Sequence, residues 1–121
     1  MKNASRREKL IWVVLIALPL VAGIFALGAL PPGVHQIPSH WDFSGNITGY
    51  MDPAGMLGFG AIMAATNGLM AFFYFCSDQM YDVGLVHGVS KANAPKVLLG
   101  TGVFLVLLTV GIYAAMLNAV L

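Results

Sequence analysis

Three side chains of the kind that hold metal ions fall close together in this sequence: His35, His40 and Asp42, in the spacing His-x4-His-x-Asp. Imidazole and carboxylate together suit zinc or copper. The set is one ligand short of the four a structural zinc site uses, and a loop histidine more often makes a loop-fixing hydrogen bond. His40 is therefore expected to brace a loop, with no metal bound. Asp78 and Asp82 lie four residues apart, with Tyr81 and His87 nearby. Two carboxylates on one helix face can support acid–base chemistry, but no nucleophile, phosphate loop or second motif accompanies them. They read as a solvated extension of a helix, and no enzymatic activity is expected. Met56, Met63 and Met70 repeat every seven residues and invite thioether ligation of copper or haem. No histidine lies near them, and Met is a common filler of apolar interfaces, so no cofactor is expected.

The elements that must position these residues follow from composition. Hydrophobic residues make up 59% of the 121 and charged residues 9%, against about 25% charged in soluble domains. The chain is read as a membrane protein whose first partner is the lipid bilayer. A net charge of +1, with the basic residues gathered rather than spread as a stripe, excludes nucleic acid as a partner. The single cysteine, Cys76, rules out an internal disulfide.

Stretches 10–30, 55–76 and 97–121 carry no charged side chain, and each is long enough to cross about 30 Å of hydrocarbon. Backbone groups in lipid must be satisfied within each segment, and no period of two argues for a barrel, so the spans are helices. The expected fold class is all-α: an integral membrane bundle of three transmembrane helices forming one domain over 1–121. Pro19 is placed to kink the first span. A cleaved signal peptide, with Ala26-Leu27-Gly28-Ala29 near the cut, is the rival reading of that span; its length and the two later spans favour an uncleaved helix. Lys2, Arg6, Arg7 and Lys9 precede the first span, and Lys91 and Lys96 fall in the second loop, whereas residues 31–54 have none. The positive-inside rule then puts the N-terminus inside and the C-terminus outside, loop 31–54 outside and loop 77–96 inside. The expected location is the cell membrane, as a multi-pass protein.

Within the second span, Gly60, Ala64 and Gly68, with Ala61 and Ala65 beside them, form a smooth strip where another helix backbone can approach. Intramolecular packing explains it, and it also admits a homo-oligomer. Asn67 sits at mid-span, where an amide facing lipid would cost several kcal/mol, so it is expected to face another helix, with Thr101 or Thr109 as partner. No Asp, Glu, Lys, Arg or His lies well inside a span, which argues against a proton relay or ion-coupled transporter.

The outer loop is built to hold a shape. Pro31-Pro32-Gly33 ends the first helix, Pro38 pushes Ile37 toward extended geometry, and Ser44-Gly45-Asn46 supplies a turn. Trp41 and Phe43 suit the membrane interface, and Asp52 is placed to cap a helix starting at Pro53. Leu30-Pro31, then Ile37-Pro38-Ser39-His40-Trp41, then Gly45 and Tyr50 resemble the "LP…IPxHW…G" signature. That signature marks the domain of unknown function in the N-terminal half of SdpI-like bacterial immunity proteins, which protect producers of a sporulation-delaying peptide toxin. The resemblance covers about Pro19 to Met56 and implies the shared membrane domain, in a bacterial or archaeal setting.

Two functional expectations follow. In the first, the outer loop contacts a ligand or partner, a peptide or another membrane protein, through Pro38, His40, Trp41, Asp42 and Gly45, in immunity to or sensing of a peptide toxin. In the second, the chain is a small accessory subunit of a larger membrane complex, packing through Gly60, Ala64, Asn67 and Gly68.

Overall fold

The computed structural model describes residues 5–85 and 88–121, so Lys2 and His87 lie outside the described residues. It contains α1 (Arg6–Gly28), β1 (Ile37–Trp41), β2 (Ile47–Met51), α2 (Gly55–Phe75), α3 (Ser77–Asp82) and α4 (Ala94–Val120). α1, α2 and α4, of 23, 21 and 27 residues, are long and apolar enough to cross a membrane. At 1.5 Å per residue the shortest is about 31 Å long, matching the hydrocarbon layer.

α1 begins with a capping box. Ser5 Oγ accepts the Glu8 N–H at 3.1 Å, and the Glu8 carboxylate reaches back to Ser5. This satisfies orphan donors of the first turn. The helix ends at Gly28, ahead of Pro31-Pro32-Gly33, with Gly33 at φ +85°.

Two features differ from an all-α bundle. The loop between α1 and α2 is an antiparallel two-stranded hairpin. The second helix also does not continue through Asp78 and Asp82: the chain leaves helical geometry at Cys76 (φ −107°, ψ 15°), and the acidic pair stands on the separate short helix α3. Lys91 Nζ donates to Asp82 Oδ1 at 2.9 Å, tying the following loop to α3. This hydrogen bond holds the Lys91 ammonium above the ordinary lysine value.

The three long helices bury narrow stripes. Trp12, Leu15, Pro19, Gly23 and Ala26 line α1; Met56, Gly60, Ala64, Asn67, Ala71 and Tyr74 line α2; Gly102, Val106, Thr109, Tyr113 and Met116 line α4. Steps of three and four residues give a mean period near 3.5, the spacing of helices that stay in contact along a left-handed supercoil. The helices approach closely at Gly60, where a Cβ would lie 2.8 Å from the Pro19 carbonyl oxygen and 2.7 Å from Tyr113 Oη. Gly102 gives way to the Trp12 ring in the same manner, at 3.0 Å. Gly68 differs: a Cβ there meets nothing within 4 Å, and Ala61 and Ala65 are exposed. The packing strip therefore runs Met56–Gly60–Ala64–Asn67 and leaves Gly68 outside it.

Asn67 is fully buried, but it does not use Thr101 or Thr109, whose hydroxyls turn back to the carbonyls of Val97 and Leu105 on their own helix. Its Nδ2 donates to the Leu15 carbonyl of α1 at 2.8 Å and lies 3.4 Å from the Gly102 carbonyl of α4. The choice of Leu15 has a covalent cause. In a regular helix that carbonyl accepts the N–H of residue 19, and residue 19 is proline, which has none. The amide of α2 thus supplies the donor that α1 lacks, as lipid cannot.

Candidate functional site: the hairpin and its groove

The hairpin is positioned from below by its first two residues. Ile37 and Pro38 are buried, and Ile37 joins Ala26, Met56, Tyr113 and Met116 in one apolar cluster spanning α1, α2 and α4. Tyr113 links the same region by donating its O–H to the Met56 carbonyl. β1 therefore rises from the end of the bundle as a continuation of its core. Pro38 contributes no N–H to a ladder, a tolerable loss in a sheet of two strands.

Pairing runs Ile37↔Met51, Pro38↔Tyr50, His40↔Gly49 and Trp41↔Ile47, with register irregularities on both sides of His40. Such irregularities re-aim side chains. Opposite His40 stands Gly49, where a Cβ would lie 3.0 Å from the imidazole Nδ1; the missing side chain makes room for the ring. The same Nδ1 lies 3.0 Å from Ser39 Oγ, so the expected brace for His40 is its neighbouring hydroxyl.

The turn is organised by Asp42. Its Oδ1 accepts the N–H groups of Ser44 and Asn46 at 3.0 and 2.8 Å. Its backbone N–H donates to the Asn46 carbonyl and its carbonyl accepts the Gly45 N–H. Gly45 lies at φ +87°, the left-handed conformation that closes a three-residue connection at low cost for glycine. At the return, Asp52 Oδ1 accepts the Ala54 N–H at 3.0 Å, but it does so in a turn ahead of the helix and not as its cap: α2 starts at Gly55, two residues after the expected start at Pro53, with Ala54 at its N-cap position and no side-chain cap.

This geometry separates the residues singled out in the sequence. His35, His40 and Asp42 are not gathered: no group of three or more His, Cys, Asp and Glu side chains suited to a metal ion occurs among the described residues. Asp42 and Gly45 serve the turn, and Pro38 serves the base. His40 and Trp41, by contrast, come together on a recess of about 480 Å³ between the hairpin and the ends of α2 and α4, lined also by Ser39, Met51, Phe59, Ile112 and Met116. Phe43 projects from the hairpin tip, fully exposed. Sequence reasoning had no view of Phe59, Ile112 and Met116 as site residues, since they stand on spans apolar on every side. Gly49 carried the one readable signal, a glycine inside a strand-like run.

Residues 14–64 match the family model described as a domain of unknown function (DUF1648). The match runs from Val14 on α1 through the hairpin to Ala64 on α2, less than half of the chain. No curated protein and no solved structure matches the chain.

Proposed function

We propose that the chain is a multi-pass protein of the cell membrane that recognises a peptide through the hairpin groove, in immunity to or sensing of a peptide toxin. The supporting observation is the groove: apolar and sulfur-bearing walls from Trp41, Met51, Phe59, Ile112 and Met116, with Ser39 and His40 as the polar groups. A mostly apolar recess with a few placed polar groups is the usual form of a recognition site, and aromatic and Met side chains are enriched where peptides bind. Among the described residues β2 pairs with β1 alone, so its other edge can add an extended segment by main-chain hydrogen bonds. Placing the groove outside the cell is supported by the positive-inside rule, since Arg6, Arg7, Lys9, Lys91 and Lys96 all belong to the opposite end of the helices. The resemblance to the SdpI-like domain supplies the peptide-toxin context, and the reading assigns no catalytic step.

The alternative, an accessory subunit, loses its sequence-level surface: Gly60 and Ala64 are buried against the chain's own helices, leaving Gly68 and the lipid-facing sides for a partner. The test is photocrosslinking in native membranes from a photoreactive residue at position 41, followed by mass spectrometry. Capture of a small secreted peptide, lost in a His40→Ala background of normal abundance, is the expected result. Capture of nothing but this chain or one larger membrane protein would overturn the peptide reading and favour the subunit.

A further inference from the structure

A second cavity lies at the other end of the bundle, independent of the peptide reading. It measures about 390 Å³, within the range of about 300–1,000 Å³ usual for small-molecule sites. Its lining includes Phe73 in the last turn of α2, Ser77 and Met80 on α3, Leu85 beyond it, and Ala94 and Val97 in the first turn of α4. Among the described lining residues Ser77 has the one polar side chain; it is 1% exposed, and its Oγ has no hydrogen-bond partner. The hydroxyls of Thr66, Thr101 and Thr109 each donate to the carbonyl four residues back on their own helix, to Ile62, Val97 and Leu105. Ser77 follows the break in helical geometry at Cys76 and makes no such bond. A buried hydroxyl left in this way is uncommon and calls for a partner from elsewhere.

The rest of the lining defines what that partner belongs to. A buried water wants two to four polar neighbours, and the lining side chains supply one. No charged side chain is among the lining, so an ionised group of either sign would give up its water without a counter-charge there. An anion is disfavoured further, because the short helix that supplies Ser77 and Met80 also carries Asp78 and Asp82. A second polar group on the occupant would be stranded among apolar side chains in the same manner. Leu85 and Val97 are exposed as well as lining the cavity, which therefore opens at the surface, level with the ends of two spans. We infer that this cavity is a binding site for a small uncharged molecule with an apolar body and a single hydroxyl or carbonyl, whose oxygen accepts the Ser77 O–H while the body packs against Phe73, Met80, Ala94 and Val97.

The test is photolabelling of the full chain in phosphatidylcholine nanodiscs with an octanol that carries a diazirine, the labelled residues being mapped by mass spectrometry. Saturable labelling confined to the cavity lining and competed by unlabelled octanol is expected. The octanoate that carries the same diazirine should label the lining about tenfold less at equal membrane concentration. Ser77→Ala should lower the octanol labelling several-fold while the unfolding midpoint of the unliganded protein holds or rises, since a buried hydroxyl without a partner costs stability. A midpoint that falls in Ser77→Ala would give the hydroxyl a structural role and overturns the inference. So does labelling that spreads without saturation over the outward faces of the three long helices, labelling of Ser77→Ala equal to wild type, or equal labelling by octanoate. Ala94→Leu, which occupies the cavity, should abolish the label; where that variant loses its helical circular dichroism, Ser77→Ala decides alone.

Discussion

Along α1, Leu10, Val14, Ile24 and Phe25 face outward while Pro19 and Gly23 are buried; along β1, Ile37 and Pro38 are buried while His40 and the turn beyond it are exposed. The same chain thus follows two burial rules. In the helices many large apolar side chains go to the lipid side, where they gain as much as they would inside, and the interior interleaves Trp12, Met56, Tyr74 and Tyr113 with residues that let backbones meet or bond across: Gly60, Ala64, Asn67, Gly102, Thr109. In the hairpin the ordinary water rule returns, and two apolar residues anchor a polar turn held by Asp42. Hydrophobicity therefore says where the bundle lies, while the departures from hydrophobicity say how it is assembled.

The largest expected effect tests the packing half of this contrast. Gly60→Leu drives a side chain into the Pro19 carbonyl and Tyr113, and should cost about 3 kcal/mol, the upper end for overpacking. Gly68→Leu on the same helix meets open space and should stay within about 0.5 kcal/mol, as surface changes do. Reversible unfolding in lipid bicelles reads both, and equal costs would break the distinction between the two glycines.

Next in size is the Pro19–Asn67 pairing. Asn67→Leu should cost about 1 kcal/mol, the usual scale of an interhelical hydrogen bond. In a Pro19→Ala background the helix regains its own N–H for the Leu15 carbonyl, so most of that cost should disappear, a coupling of about 1 kcal/mol in the double-mutant cycle. Strict additivity would mean that the amide answers some other need.

The smallest global effect is expected from the hairpin. Asp42→Ala removes the acceptor for two backbone N–H groups, a loss of about 1 kcal/mol per bond, confined to the turn. Amide exchange at Ser44 and Asn46 should quicken while the unfolding midpoint of the bundle stays put. A midpoint that falls with the turn would show the hairpin and bundle to be one cooperative unit.

The sequence made the spans legible because hydropathy averages over about 20 residues. Spans read at 10–30, 55–76 and 97–121 correspond to helices at Arg6–Gly28, Gly55–Phe75 and Ala94–Val120. The earlier start of α1 was readable too, in the capping-box pattern Ser5-x-x-Glu8. The facing of each helix is not, because a helix apolar all round offers no stripe; hence nothing in the sequence marks Trp12, Tyr74 and Tyr113 as interior or separates Gly68 from Gly60. The hairpin was hidden by Pro38 and Gly49, which weaken a strand pattern, although Asp42 and Gly45 mark its turn. The groove joins residues more than 70 positions apart, from Ser39 to Met116, a relation that only packing creates.

The bond from Asn67 to the Leu15 carbonyl has a consequence for inheritance. Its acceptor is main chain, so the side chain of Leu15 takes no part in the bond and answers only to the packing around it. Its true counterpart is Pro19, which touches Asn67 through an absent hydrogen. Descendants that replace the proline would be released from the asparagine, and the two positions are expected to drift as a pair across lineages while Leu15 follows its packing neighbours.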